Sequence, residues 1–240
     1  MYKHLVLLLI FLSLSIDSLY ARVSFQDMQK VFKTFHEIYD DELADNEVIE
    51  FNRPSGAELT WWDIDLFKAT YHGYSDDFTS KYHHLVFIFG GIPLAEFMTV
   101  DGLALVICHE LGHGFAGAPF KEEGASVEGQ ADYYATGECL TKFFKKYPLT
   151  NLDIDSLSDK TRTLCRNDQV CLRKMLAIQT RIEIFKIRGN TSSLDSFETE
   201  EASEINFSDN YYPTSQCRVD TFKAAALKKK RPACWFRSNY

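Results

Sequence analysis

Positive charge is scarce in this chain. It carries 26 Lys and Arg against 34 Asp and Glu, a formal charge of −8 at pH 7, and a surface of that sign argues against nucleic acid as a partner. Long apolar runs are missing too once the first fourteen residues are passed. The longest candidate, residues 85–108, is broken by Gly, Pro, Glu and Asp, and falls short of the roughly 20 apolar residues a spanning helix needs. No internal repeat, Gly/Ser linker or low-complexity tract divides the chain, which excludes solenoids and tethered modules. What is present, 45% apolar and 14% aromatic residues, suits one globular domain with a sizeable core.

The first residues differ in kind from the rest. Lys3 and His4 precede an apolar run at 5–14, then Ser and Asp, then Ala21, the order of a secretory signal. Ten apolar residues are too few to span a bilayer. No Cys follows the run, which argues against a lipid anchor, and Leu19 is an unusual residue three places before the expected cut. Residues 1–21 are therefore predicted to be a signal peptide and 22–240 a single domain, periplasmic or extracellular and without stable membrane insertion. Six cysteines, an even count, fit an oxidising compartment. Cys165–Cys171 and Cys217–Cys234 are the expected pairs. Cys108 precedes a candidate ligand, but its side chain points about 100° away around a helix, so it is expected in the core or in a disulfide. The acidic patch at 198–204 reads as solvated loop, and the basic run at 228–231 as an exposed helix end.

Chemistry concentrates at His109-Glu110-Leu111-Gly112-His113. On a helix, residues i and i+4 lie one above the other, so both imidazoles can reach one metal ion, while Glu110 can accept a proton from a water bound there. Chance gives such a pentapeptide in roughly one per cent of chains of this composition, so its surroundings must carry the rest. Upstream, Thr99 reads as an N-cap, with Asp101 in the first turn and a buried apolar run at 103–107. Downstream, Gly114, Gly117 and Pro119 read as a stop, and 121–125 as a turn. Ser126 is expected to cap a second helix at 127–146, ended by Pro148. On it Glu128 and Asp132 are again one turn apart. A catalytic zinc takes three protein ligands and keeps one position open, so Glu128 is the expected third ligand. Asp132 is the expected acceptor for the other N–H of a ligand histidine.

His109 to His113 followed by Glu128-Gly129-Gln130-Ala131-Asp132 resembles the His-Glu-x-x-His and Glu-x-x-Ala-Asp pattern of gluzincin peptidases, nearest to the CAAX prenyl endopeptidases and bacterial HtpX. Tyr212-Pro213-Thr214-Ser215-Gln216-Cys217-Arg218 resembles that family's His-Pro-x-x-x-x-Arg element, with Tyr for His. The resemblance implies one Zn2+ per chain on His109, His113 and Glu128, with Glu110 as general base. It implies that Asp132 partners a ligand histidine and that Arg218 is directed at the site. Tyr212 is either the donor to a developing oxyanion or a packing residue at a turn. The implied function is zinc-dependent endopeptidase acting on a polypeptide substrate, in a soluble, exported branch. Two other readings stand beside it: a secreted zinc-binding protein with a binding or chaperone-like role and no turnover, and a disulfide-stapled surface protein without metal.

The rest of the chain predicts a mixed α+β architecture, which the resemblance implies is zincin-like: a small sheet, two zinc-binding helices and a helical C-terminal part. Phe25, Met28, Val31, Phe32 and Phe35 recur at helical spacing behind Ser24. Strands are expected at 48–51, 59–67 and 84–89, the last as the edge strand that pairs with substrate. His83 and His84 are expected to be exposed strand residues. Further helices are expected at 169–187 and 219–229.

Overall fold

The apolar spacing behind Ser24 becomes α1 (Phe25–Tyr39) in the computed structural model of the chain, which describes residues 22–54, 56, 58–121, 123–148, 152–196 and 212–236. The predicted signal at 1–21 and the acidic patch at 198–204 lie outside the described residues. Ser24 Oγ accepts from Asp27 N, satisfying a free amide of the first turn. Met28, Val31, Phe32 and Phe35 are buried on one face, where Phe32 stacks on Phe51 and Phe35 on Phe143.

Three strands follow: β1 (Glu47–Phe51), β2 (Ala69–Asp76) and β3 (Lys81–Ile88), in the order β1-β3-β2. β1 runs parallel to β3, with Ile49 opposite His84. β2 runs antiparallel to β3, with Tyr71 opposite Val86. Three expectations are corrected here. Residues 59–67 form no strand: 61–63 make a turn, where Asp63 accepts from the Thr60 backbone N–H and hydroxyl, and 64–67 are irregular. Their aromatic side chains pack all the same, with Trp61 between Phe87 and Phe89, and their backbone lies over Gly90 and Gly91. A Cβ on Gly90 would sit 1.9 Å from the Trp62 carbonyl oxygen, so that glycine permits the close approach. The second correction concerns the edge. β3 is central and buried from His83 to Val86, as a strand covered on both faces must be; the edges are β1 and β2, of which β2 is the more exposed. His83 and His84 are accordingly buried, with their Nδ1 atoms 2.8 Å from Glu50 Oε1 and from the Tyr71 hydroxyl.

α2 (Val100–Phe115) is buried from Asp101 to His113 and packs against strands β2 and β3 and against two later helices, α3 (Glu128–Tyr134) and α6 (Gln169–Ile187). Thr99 caps it, accepting from Gly102 N at 2.9 Å. Asp101 does more than complement the helix end: it is buried in a bidentate pair with Arg173 of α6 (Gln169–Ile187), at 2.6 and 2.8 Å. The second long helix begins at Glu128 and comes in three continuous parts. These are α3 (Glu128–Tyr134), a π-helical turn (Ala135–Cys139) and α4 (Leu140–Lys146), which stops before Pro148 as expected. Ser126 does not cap it. Val127 holds that position with no side-chain bond, because Ser126 Oγ donates to Gly117 O instead.

The helical part ends with α5 (Asp159–Cys165), unexpected from the sequence, then α6 and α7 (Ser215–Ala226). α7 starts a turn earlier than predicted, capped by Thr214, so Arg218 lies in its first turns. The chain is α+β with a small sheet. Three disulfides join Cys108–Cys139, Cys165–Cys171 and Cys217–Cys234. The first ties α2 to the π-helical turn. The third holds Trp235 over Gly129, where a Cβ would be 2.2 Å from the indole. Three such bonds fit an oxidising, extracytoplasmic environment. No described helix is long and apolar enough to cross a membrane.

Candidate metal centre

One turn of α2 separates His109 from His113, and Gly112 between them lets α3 approach closely: a Cβ there would lie 2.7 Å from Ala131 Cα. This contact brings Glu128, in the first turn of α3, against both imidazoles. His109 Nε2 is 3.3 Å from Glu128 Oε2, and His113 Nε2 is 3.4 Å from Glu128 Oε1. One ligand atom from each of the three residues lies within 4.8 Å of the others, and all three residues are buried.

The outer nitrogens fix the tautomers. His113 Nδ1 is 2.8 Å from the Ser126 carbonyl oxygen, which can only accept, so Nδ1 carries the proton and Nε2 presents a bare lone pair. His109 Nδ1 is 2.8 Å from Asp132 Oδ1, so it too carries a proton, and its Nε2 lies 3.3 Å from Arg218 Nη2. Asp132 is fully buried and held in turn by Arg218, whose Nε and Nη2 donate to its two oxygens at 2.7 Å each. Arg218 Nη2 also reaches Glu128 Oε2 at 3.3 Å, and Lys121 Nζ reaches Glu128 Oε1 at 3.3 Å.

Protonation follows from these contacts. Burial works against an ionised Glu128, but the Arg218 charge and the two imidazoles hold its carboxyl well below the usual range. Asp132 is held down in the same way by Arg218 and His109. Burial, aided by the charge of His109, pushes His113 down to about 4. At His109 burial is outweighed by Asp132 and Glu128, so its pKa is raised. Once His109 gives up the proton that Asp132 and Glu128 favour, two imidazole nitrogens and one ionised carboxylate oxygen form a donor set that a divalent transition metal such as zinc fits.

A cavity of about 300 Å³ opens on this group. Glu110 is buried in its wall, and desolvation raises its pKa. The start of β2, from Ala69 to Tyr71, forms another wall, and Tyr71 and His113 also line an adjoining space of about 560 Å³ that runs along β2 to His84. Tyr212 lines the cavity and is 60% exposed. All seven residues singled out in the sequence thus border one place, Asp132 from behind. Arg181, Lys121 and the Ser126 carbonyl join them unforeseen. Arg181 did leave a signal: Ile178, Arg181, Ile182 and Phe185 share one helical face, and all are buried. Compared with known proteins, the chain matches no protein-family model, no curated protein and no solved structure.

Proposed function

We propose that the protein is a zinc-dependent endopeptidase of gluzincin type, exported by its N-terminal segment and acting on polypeptides. One observation carries the reading: two imidazoles, each held at Nδ1 from outside, and an ionised carboxylate converge, and a fourth buried group, Glu110, shares their cavity without belonging to the donor set. A closed structural site would need a fourth protein ligand and would leave Glu110 without a task.

His109, His113 and Glu128 would hold the ion, which when bound supplies a Lewis acid and lowers the pKa of water toward neutrality. Glu110 takes the proton of the attacking water and returns it to the leaving amine; a carboxyl raised by desolvation is suited to both transfers. Asp132 and the Ser126 carbonyl keep the imidazoles in the required tautomer and aim. Tyr212 offers a hydroxyl to the developing oxyanion from the mouth of the cavity. An extended substrate pairs with the exposed edge β2, whose first residues line the cavity, and its side chains run into the adjoining space.

A second reading, zinc binding without turnover, draws on Lys121 and Arg218, which between them occupy both oxygens of Glu128. Glu110→Gln separates the two. Zinc stoichiometry and chelator-reversible hydrolysis of casein are measured on wild type and variant. The expected outcome is one zinc per chain in both and hydrolysis lowered at least about 100-fold in the variant. Undiminished hydrolysis by the metal-replete variant would remove Glu110 from the reaction, and a zinc-loaded wild type inert on unfolded substrates would favour the second reading.

A further inference from the structure

Arg181 is a buried cation with no ion pair among the described residues; Asp132 and Glu110 act on it only at longer range. It projects from α6, is 7% exposed, and lines the cavity with Glu110, Glu128 and Arg218. Among the described residues its side chain makes no hydrogen bond and no ion pair, its Nε is buried with no partner, and its one ring contact is the Phe185 face at 5.1 Å. The anions nearby are engaged elsewhere. Asp132 is taken by Arg218 and His109, and Glu128 by Arg218, Lys121 and the imidazoles. Glu110 shares the cavity, yet no ion pair joins it to Arg181.

Holding a guanidinium almost out of water, with Nε unpartnered and no anion in contact, opposes folding. Such a departure from local consistency belongs at a functional site, where the missing partner arrives from outside. Lys68 and Arg188, both exposed, line the same cavity and add positive potential around it. The planar fork of an arginine matches a carboxylate bidentately.

We infer that Arg181 is the receptor for a carboxylate of the substrate, drawn in past Lys68 and Arg188 and held in the cavity of the candidate metal centre. The ligand is taken to be a peptide because the site is read as a peptidase centre. The carboxylate then has two sources: the free C-terminus, or an Asp or Glu side chain near the scissile bond. In either case Arg181 selects the substrate and contributes nothing to the ligand set.

The test measures binding, not turnover, on the zinc-loaded full chain carrying Glu110→Gln. Three N-acetylated peptides are compared by calorimetry: a neutral pentapeptide amide, the same peptide with a free C-terminus, and the amide with one Ala replaced by Glu. The expected result is that at least one carboxylate peptide binds about ten-fold tighter than the neutral amide. Preference for the free terminus identifies the first source, and preference for the Glu peptide the second. Adding Arg181→Met should bring both carboxylate peptides down to the affinity of the amide, and Arg181→Lys should keep part of the discrimination. Arg181→Met should also raise the melting temperature, because an unpaired buried charge has gone. Equal affinities for all three peptides, or a carboxylate preference that survives Arg181→Met, would overturn the proposal. A lowered melting temperature would do so as well, by assigning Arg181 a structural role. Casein hydrolysis by the wild type tests the peptidase reading separately, so the two can fail independently.

Discussion

Each candidate ligand is positioned by a neighbour that cannot itself reach the ion. Asp132 holds His109, the Ser126 carbonyl holds His113, and Arg218 holds both Asp132 and Glu128. Asp132→Asn should therefore leave the three donors in place and weaken their hold. The amide is a poorer acceptor for the His109 N–H and no longer neutralises Arg218. The expected loss is about 10- to 100-fold in zinc affinity, read by competition with a chromophoric chelator, with full occupancy recovered at saturating zinc. Unaltered affinity would contradict the role. Much at this scale was legible, since the spacings of His109, Glu110, His113, Glu128 and Asp132 are set by helix geometry alone. Ser126 was misread because a serine before a helix suggests a cap, whereas here its carbonyl is fixed by the return of the 120–126 segment onto the end of α2.

The centre also depends on how closely two elements approach. Gly112 is the point of contact between α2 and α3, where any side chain would meet the Ala131 backbone at 2.7 to 2.8 Å. Gly112→Ala improves local helix propensity by about 1 kcal/mol, yet it should force the helices apart. Over-packing of this kind costs typically 1–3 kcal/mol. The expected outcome is a lower melting temperature together with weaker zinc binding, and a variant more stable than wild type with unchanged affinity would refute the contact. Helices were easier to foresee than strands. α1, α2 and α6 carry their own caps and periodicities in Ser24, Thr99 and Asp168. β2 has only an exposed, irregular pattern, and the aromatic 59–67 segment resembled a strand more than β2 did. Which strand lies at the edge is decided by pairing partners distant in sequence, so β3 was mistaken for it.

At the scale of the molecule, several charges are buried for reasons that no local pattern contains. Lys174, on α6, is 4% exposed and donates to Thr141 Oγ1 at 2.8 Å. Burial, with a contribution from Lys228, pushes its amine down to about 8 from an ordinary 10.5. Between those values the unfolded chain binds more protons than the folded one, so this group's contribution to stability rises with pH across the window. Below pH 8 it is protonated in both states, and its burial opposes folding in full. Lys174→Met should therefore be more stable than wild type at pH 7, by a margin that shrinks as pH rises from 8 to 10.5 in urea denaturation. A margin independent of pH would contradict the assignment. The disulfides were partly legible: sequence proximity suggested Cys165–Cys171 and Cys217–Cys234, while Cys108–Cys139 needs α2 packed against the π-helical turn. The site and the packing of these helices make one claim, that α2 and α3 are joined around a divalent cation. Zinc per chain after loading and exhaustive dialysis, by elemental analysis of wild type, His113→Ala and Glu128→Ala, tests it most directly. One equivalent in wild type and less than about a tenth in either variant is predicted; a wild type that retains no zinc, or variants that retain as much as it does, would contradict it.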